Sequence, residues 1–82
     1  MKVVFSGTAQ QDFDALPLPM KGRVLQAVSR LERWPEVSGA KWLTANWKGY
    51  ARIRVGDWRV VFRPTSQAII VEHIAHRREV YE

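Results

Sequence analysis

Between Trp47 and Phe62 the chain reads WKGYARIRVGDWRVVF, and its polar and apolar positions alternate with a period of two. In extended backbone that period sends successive side chains to opposite faces of a sheet. Ala51, Ile53 and Val55 fall on one side, with Tyr50, Arg52 and Arg54 on the other. Gly56-Asp57 is a tight-turn pair. Beyond it Trp58, Val60 and Phe62 continue the apolar side, while Arg59, Val61 and Arg63 continue the polar one. The pattern predicts a hairpin whose outer face carries the guanidinium groups of Arg52, Arg54, Arg59 and Arg63. Like charges on neighbouring strands repel, so a fold that gathers them has a polyanion or an acidic partner to offset the cost.

The remaining pattern supplies the elements around this hairpin. Lys2 to Phe5 reads as a short strand, and Ser6-Gly7-Thr8 offers hydroxyl caps for a helix over 9–16 with Ala9, Phe13 and Leu16 inward. Pro17-Leu18-Pro19 breaks that helix. A second helix is expected over 20–34, with Met20, Val24, Ala27, Val28, Leu31 and Trp34 at helical spacing, ended by Pro35. Arg23, Arg30 and Arg33 cluster on its opposite side, either an ordinary solvated face or a further basic surface, with the solvated face the leading reading. A loop over 36–40 and the segment 41–49 lead into the hairpin. The last strand, over 67–75, is an apolar run interrupted only by Glu72 and His73, which reads as a strand near the centre of the sheet and covered on both faces. The fold class is therefore α+β, ordered β-α-α-β-β-β: an antiparallel-rich sheet with both helices on one face and the arginines on the other.

Composition narrows this further. The 82 residues, 46% hydrophobic with four tryptophans, suffice for a single domain over 1–82 with one core. The absence of cysteine excludes disulfides and thiolate metal sites, and two histidines without an acidic cluster make a poor ligand set, so no metal or cofactor is expected. The opening MKVVFSGTAQQDF turns polar too soon for a signal peptide or a membrane span, which points to a soluble cytoplasmic protein. Thirteen Lys and Arg against eight Asp and Glu give a formal charge of +5 and favour nucleic acid or an acidic protein as partner. The excess is spread over both halves, so geometry rather than bulk charge carries the argument.

WKGYARIRVGDWRVVF together with the ending HRREVY, the opening Phe5-Ser6 with Ala9, and Asp12-Phe13 with Leu16-Pro17 resemble the RelE/ParE superfamily of bacterial type II toxins, in the order that family shows. The likeness spans essentially the whole chain. It implies a compact toxin neutralised by an acidic, partly disordered, RelB-like antitoxin, with which it jointly binds promoter DNA. In the RelE branch such a toxin cuts messenger RNA on the ribosome without metal; in the ParE branch it binds DNA gyrase instead. The ending HRREVY leans toward the RelE branch.

The RelE-type reaction attacks the scissile phosphate with the neighbouring ribose 2′-hydroxyl and needs a base, an acid and cations for the phosphorane's charge. By resemblance Arg59 is the family's arginine after the turn, a planar fork able to hold two phosphate oxygens. Tyr81 matches the family's terminal tyrosine, implicated in activating the 2′-hydroxyl or in stacking on the substrate. A phenol serves as base only where neighbouring cations favour its ionised form, and Arg77 and Arg78 could supply that field. One of the two corresponds to the late catalytic arginine. The chain ends at Glu82, without the carboxyl-terminal helix of some relatives, which is expected to leave Tyr81 exposed. Strong RelE nucleases carry lysines where this chain has Arg52 and Arg54; charge stabilisation survives that exchange, whereas arginine does not trade protons. His76 then either takes over as acid or base, or merely ends the strand and bonds to backbone.

His73, within an apolar strand, reads as a satisfied core residue. Trp42 and Trp58 read as core, and Tyr50 as a stacking platform beside Arg52 and Arg54. Trp47 has no evident place. Lys48 either contacts RNA or keeps an edge strand soluble. Glu72 either orients an arginine or balances charge. The RNA-binding set is thus Lys48, Tyr50, Arg52, Arg54 and Arg63. Three functions stay open: a metal-independent messenger-RNA endoribonuclease, a gyrase inhibitor, and a catalytically weak toxin acting through its antitoxin complex.

Overall fold

In the structure of the chain, a computed structural model describing residues 1–79, five strands form one mixed sheet in the order β1-β5-β4-β3-β2. The strands are β1 (Lys2–Phe5), β2 (Lys41–Trp42), β3 (Ala51–Val55), β4 (Trp58–Pro64) and β5 (Ala68–His76). β1 runs parallel to β5, and every other pairing is antiparallel. The expected architecture holds, with one element more than the periodicity shows. β2 pairs through only two residues, Lys41 with Arg52 and Trp42 with Ala51, too few for any alternation to be legible.

Helix α1 (Gly7–Asp14) starts and ends two residues earlier than expected, and it is capped by a hydroxyl of the expected cluster: the Ser6 Oγ accepts from the Ala9 N–H at 3.0 Å. Helix α2 (Leu18–Arg30) begins two residues earlier than its periodicity suggests. Pro17 stands at its cap and Pro19 in its first turn, where a missing N–H costs nothing and the fixed φ suits a helix. Its predicted last turn tightens into a 3-10 turn at Leu31–Arg33.

Ala9 of α1, Leu16 just beyond it, Val24, Ala27 and Val28 of α2, and Leu31 meet Ile53, Val55, Val60, Phe62, Ile69, Val71 and Ile74 of the sheet in one core. Phe62 sits at its centre with no exposed surface, its ring met edge-on by Trp34 at 5.3 Å. Trp58 packs against this core as expected. Trp42 does not: it is 57% exposed and reaches only the edge of Trp34, at 5.6 Å, because the short edge strand β2 lies outside the area the helices cover.

One irregularity reorders the last strand. β4 and β5 pair Val61 with His73 and then Phe62 with Val71, so Glu72 is an extra residue, a β-bulge. Core-facing positions of β5 consequently run Ile69, Val71 and then Ile74. Everything beyond the bulge has changed face relative to a strict period of two. The expectation that β5 is covered on both faces also needs correction, since Ile70, Glu72 and His73 on or beside the outer side are only half-buried.

β1 ends at Phe5, leaving the second half of β5 without a strand on that side. Helix α1 takes over the hydrogen bonding there: Ser6 donates its N–H to the Val71 carbonyl at 2.9 Å and its hydroxyl to the Glu72 carbonyl at 3.2 Å. Asp12 Oδ2 then accepts from the Ile74 N–H at 3.0 Å. A carboxylate thus substitutes for the missing strand. Among the described residues no helix is long and apolar enough to cross a membrane.

Candidate functional site

The β3–β4 hairpin closes on Gly56-Asp57, with Gly56 at φ 61° in the left-handed region that its first turn position requires. Val55 pairs with Trp58 and, one step in, Arg54 stands directly opposite Arg59. Residues so paired share a face, with Cβ atoms about 5 Å apart. Both arginines therefore start from the outer face beside the turn, Arg54 exposed and Arg59 largely buried. Arg59 is 9% exposed, with Nη1 3.3 Å from the Trp58 carbonyl and 3.4 Å from that of Gly56. Carbonyl acceptors fix the fork's position and carry no formal charge of their own.

Arg77 joins the same end of the sheet. Its N–H donates to the Asp57 carbonyl at 2.7 Å, and its Nε lies 3.8 Å from Asp57 Oδ1, both side chains well exposed. Arg78 is exposed on the same 3-10 turn, Arg77–Glu79. Thus Arg54, Arg59 and Arg77 gather around Asp57 and its turn. The Tyr81 prediction lies outside the described residues.

Arg52 and Arg63 stand farther along the face. Arg52 is 5% exposed, its Nη1 3.4 Å from the Gly39 carbonyl, and it lines a recess of about 200 Å³ with Lys41, Trp42, Leu43 and Thr44. Its expected open display on the outer face is replaced by burial under this edge. Arg63 pairs with Glu72 at 3.4 Å, so that carboxylate does orient an arginine. Lys48 is exposed, and Tyr50 is half-buried against the Trp47 ring at 5.1 Å. The outer face is accordingly less bare than the pattern suggests: Val61 on it is 1% exposed, and Trp47 lies across its neighbour His73 at 5.8 Å.

The bulge exchanges the two histidines. His76 pairs with Trp58 and meets that ring edge-on at 5.3 Å, which puts it on the helix side and not with Arg59. Its Nδ1 accepts from the Arg78 N–H at 3.3 Å, the strand-ending, backbone-bonded role. His73, expected in the core, is instead level with Val61 and Arg52 on the outer face. Its Nδ1 stands 3.8 Å from Asp12 Oδ2, with 29% of the side chain exposed. No sequence signal separates the two histidines, because Glu72 gives no local sign that it is the extra residue. Trp42 was likewise missed as the exposed aromatic beside Arg52.

The arrangement supplies fixed cations around a turn, an imidazole two positions from the Arg59 row, and aromatic edges nearby. Among the described residues no group of three or more His, Cys, Asp or Glu could hold a metal ion. Such a site suits charge stabilisation of a bound anion.

Comparison with known proteins agrees on the family. Toxin RelE3 from Methanocaldococcus jannaschii is 27% identical over 85 aligned positions, covering 100% of this chain and 97% of that protein. The toxin–antitoxin complex RelBE2 from Mycobacterium tuberculosis contains a chain superposing at TM-score 0.81 with 25% identity, covering 93% of this chain and 96% of that one. YafQ from E. coli shares the fold at TM-score 0.80 and 18% identity, covering 99% and 98% of the two chains. A family model described as the ParE toxin of the type II toxin–antitoxin system parDE matches residues 3–81, so this chain belongs to the RelE/ParE superfamily of type II toxins.

Proposed function

We propose that this toxin is a metal-independent endoribonuclease that cuts messenger RNA on the ribosome and so halts translation. The observation that carries the reading is the convergence of Arg54, Arg59 and Arg77 on the Gly56-Asp57 turn. A phosphorane carries more negative charge than the phosphodiester it forms from, so cations fixed before the reaction favour the transition state over the ground state. Arg59 would hold two phosphate oxygens, with Arg54 and Arg77 or Arg78 completing the field. Tyr81 would activate the ribose 2′-hydroxyl or stack on a base. The bond formed joins the 2′-oxygen to phosphorus, the bond broken releases the 5′-oxygen, and the proton taken from the first is returned to the second. The protein would act in the cytoplasm, where its substrate is.

Brief induction followed by primer extension on reporter transcripts tests this. Cuts that vanish in Arg59→Ala support it, and growth arrest with intact transcripts overturns it. RelE is held by an antitoxin in the RelB–RelE antitoxin–toxin complex from Methanococcus jannaschii; an antitoxin of this chain would be acidic and would cover these cations and an adjoining apolar surface. A second reading, inhibition of DNA gyrase, is favoured by the family model being that of the ParE toxin. Loss of supercoiling at saturating toxin, with transcripts uncut, would establish it instead.

A further inference from the structure

A second basic recess lies around the edge from the arginine face. β2 covers β3 only at Ala51 and Arg52, leaving the edge open from Ile53 to Val55. There α2 and the hairpin turn flank a shallow, open cleft of about 240 Å³ lined by Arg23, Gln26, Ala27, Arg30, Arg54, Val55 and Gly56. Among the described residues none of the lining is acidic, and three are arginines, Arg23 and Arg30 from α2 and Arg54 from β3. The turn and α2 approach closely here: a Cβ at Gly56 would lie 3.3 Å from the Arg23 guanidinium, a tight contact that a few tenths of an ångström of movement at the tip of that side chain would relieve. Arg30 is anchored by its donation to the Ser38 carbonyl at 2.5 Å.

We propose that this cleft is a phosphate-binding subsite for the backbone of single-stranded RNA, a role that rests on the nuclease reading and extends its footprint. Arg54 belongs to both places, opposite Arg59 on the ladder and among the lining residues of the cleft. Anions passing from Arg59 over Arg54 to Arg23 and Arg30 meet a row of cations that turns the sheet edge. A polymer with a charge on every unit fits such a row, whereas a single acidic side chain of a protein partner would occupy one place in it.

The test is fluorescence anisotropy of a labelled single-stranded RNA oligonucleotide, 2′-O-methylated throughout so that it cannot be cut, titrated with antitoxin-free protein across a sodium chloride series. Arg23→Gln should weaken binding at low salt and make the slope of log affinity against log salt shallower by about 0.7, the share of one phosphate contact. Arg23→Lys should keep the slope. Arg33→Gln, which removes the same charge from an exposed position outside the cleft, should change it less. Arg30→Gln should resemble Arg23→Gln, but Arg23 decides, because Arg30 also braces Ser38. Circular dichroism and thermal unfolding confirm that each variant folds. An Arg23→Gln slope equal to that of Arg33→Gln overturns the subsite. So does an Arg23→Gln loss seen only with the antitoxin, which assigns the cleft to the protein partner. Wild-type protein that cuts transcripts while Arg23→Gln binds RNA unchanged removes the subsite alone; wild-type protein that neither binds nor cuts RNA removes the nuclease reading as well.

Discussion

Arg59 stands directly opposite Arg54 across the β3–β4 ladder, one pair in from the turn that also receives Arg77. Like charges placed this way repel across the ladder, a cost that groups of opposite charge around them offset. Replacing Arg59 with alanine should lower cleavage about 10²- to 10³-fold, the usual cost of one preorganised donor to a developing anion. Arg59→Lys should recover only part of that, because an ammonium cannot span two phosphate oxygens. Mapping cuts on a reporter transcript for both variants decides the matter, and wild-type cutting by Arg59→Ala would contradict the assignment.

The exchange of His73 and His76 by the bulge leads to an opposite ordering of effects from the one the unbroken alternation implies. His76→Gln should cut RNA at the wild-type rate. His73→Gln should be slower, by up to about 10² if its imidazole moves a proton. Rate measurements over pH 5–8 distinguish a proton-transfer role, which would flatten the profile, from a positional one, which would lower it uniformly. A reversed order would place the chemistry on the helix side of the sheet.

Asp12 completes the hydrogen bonding of β5 where β1 has ended. In Asp12→Ala the Ile74 N–H loses that acceptor, at a cost of about 1–2 kcal/mol. For a domain of this size that lowers Tm by roughly 4–8 °C per kcal/mol. Asp12→Asn keeps an acceptor oxygen and should lose less. Thermal unfolding monitored by circular dichroism reads both, and an Asp12→Ala protein as stable as wild type would show that water replaces the carboxylate.

Gly56→Ala should also destabilise the protein, by about 1 kcal/mol or more, because an L side chain is strained at φ 61°. Its Cβ would in addition press on the Arg23 guanidinium. Urea titration gives the cost, and an unchanged midpoint would mean that the turn adopts another form.

Ser6→Ala removes the hydroxyl that caps α1 and donates to Glu72 across the sheet edge. About 1 kcal/mol is expected. Ser6→Thr, which keeps the hydroxyl, should recover most of it in the same unfolding assay.

What the chain alone determined is the hairpin: the period of two, with Gly56-Asp57 between its halves, settles which residues of β3 and β4 face the core, since one face had to be buried and only one register buries it. The helix order and the pairing of Arg54 with Arg59 follow from the same local rules. Tertiary structure decided what depends on a count of residues between distant partners. Whether Glu72 is in step or extra is set by where β4 and α1 meet β5, and that one residue sends His73 outward and His76 inward. Burial of Arg52 beneath the β2 edge, exposure of Trp42 beyond the helices, and the meeting of Arg23 with Gly56 have the same origin. Each joins segments far apart in the chain, and local patterning carries no information about which of them will come to lie together.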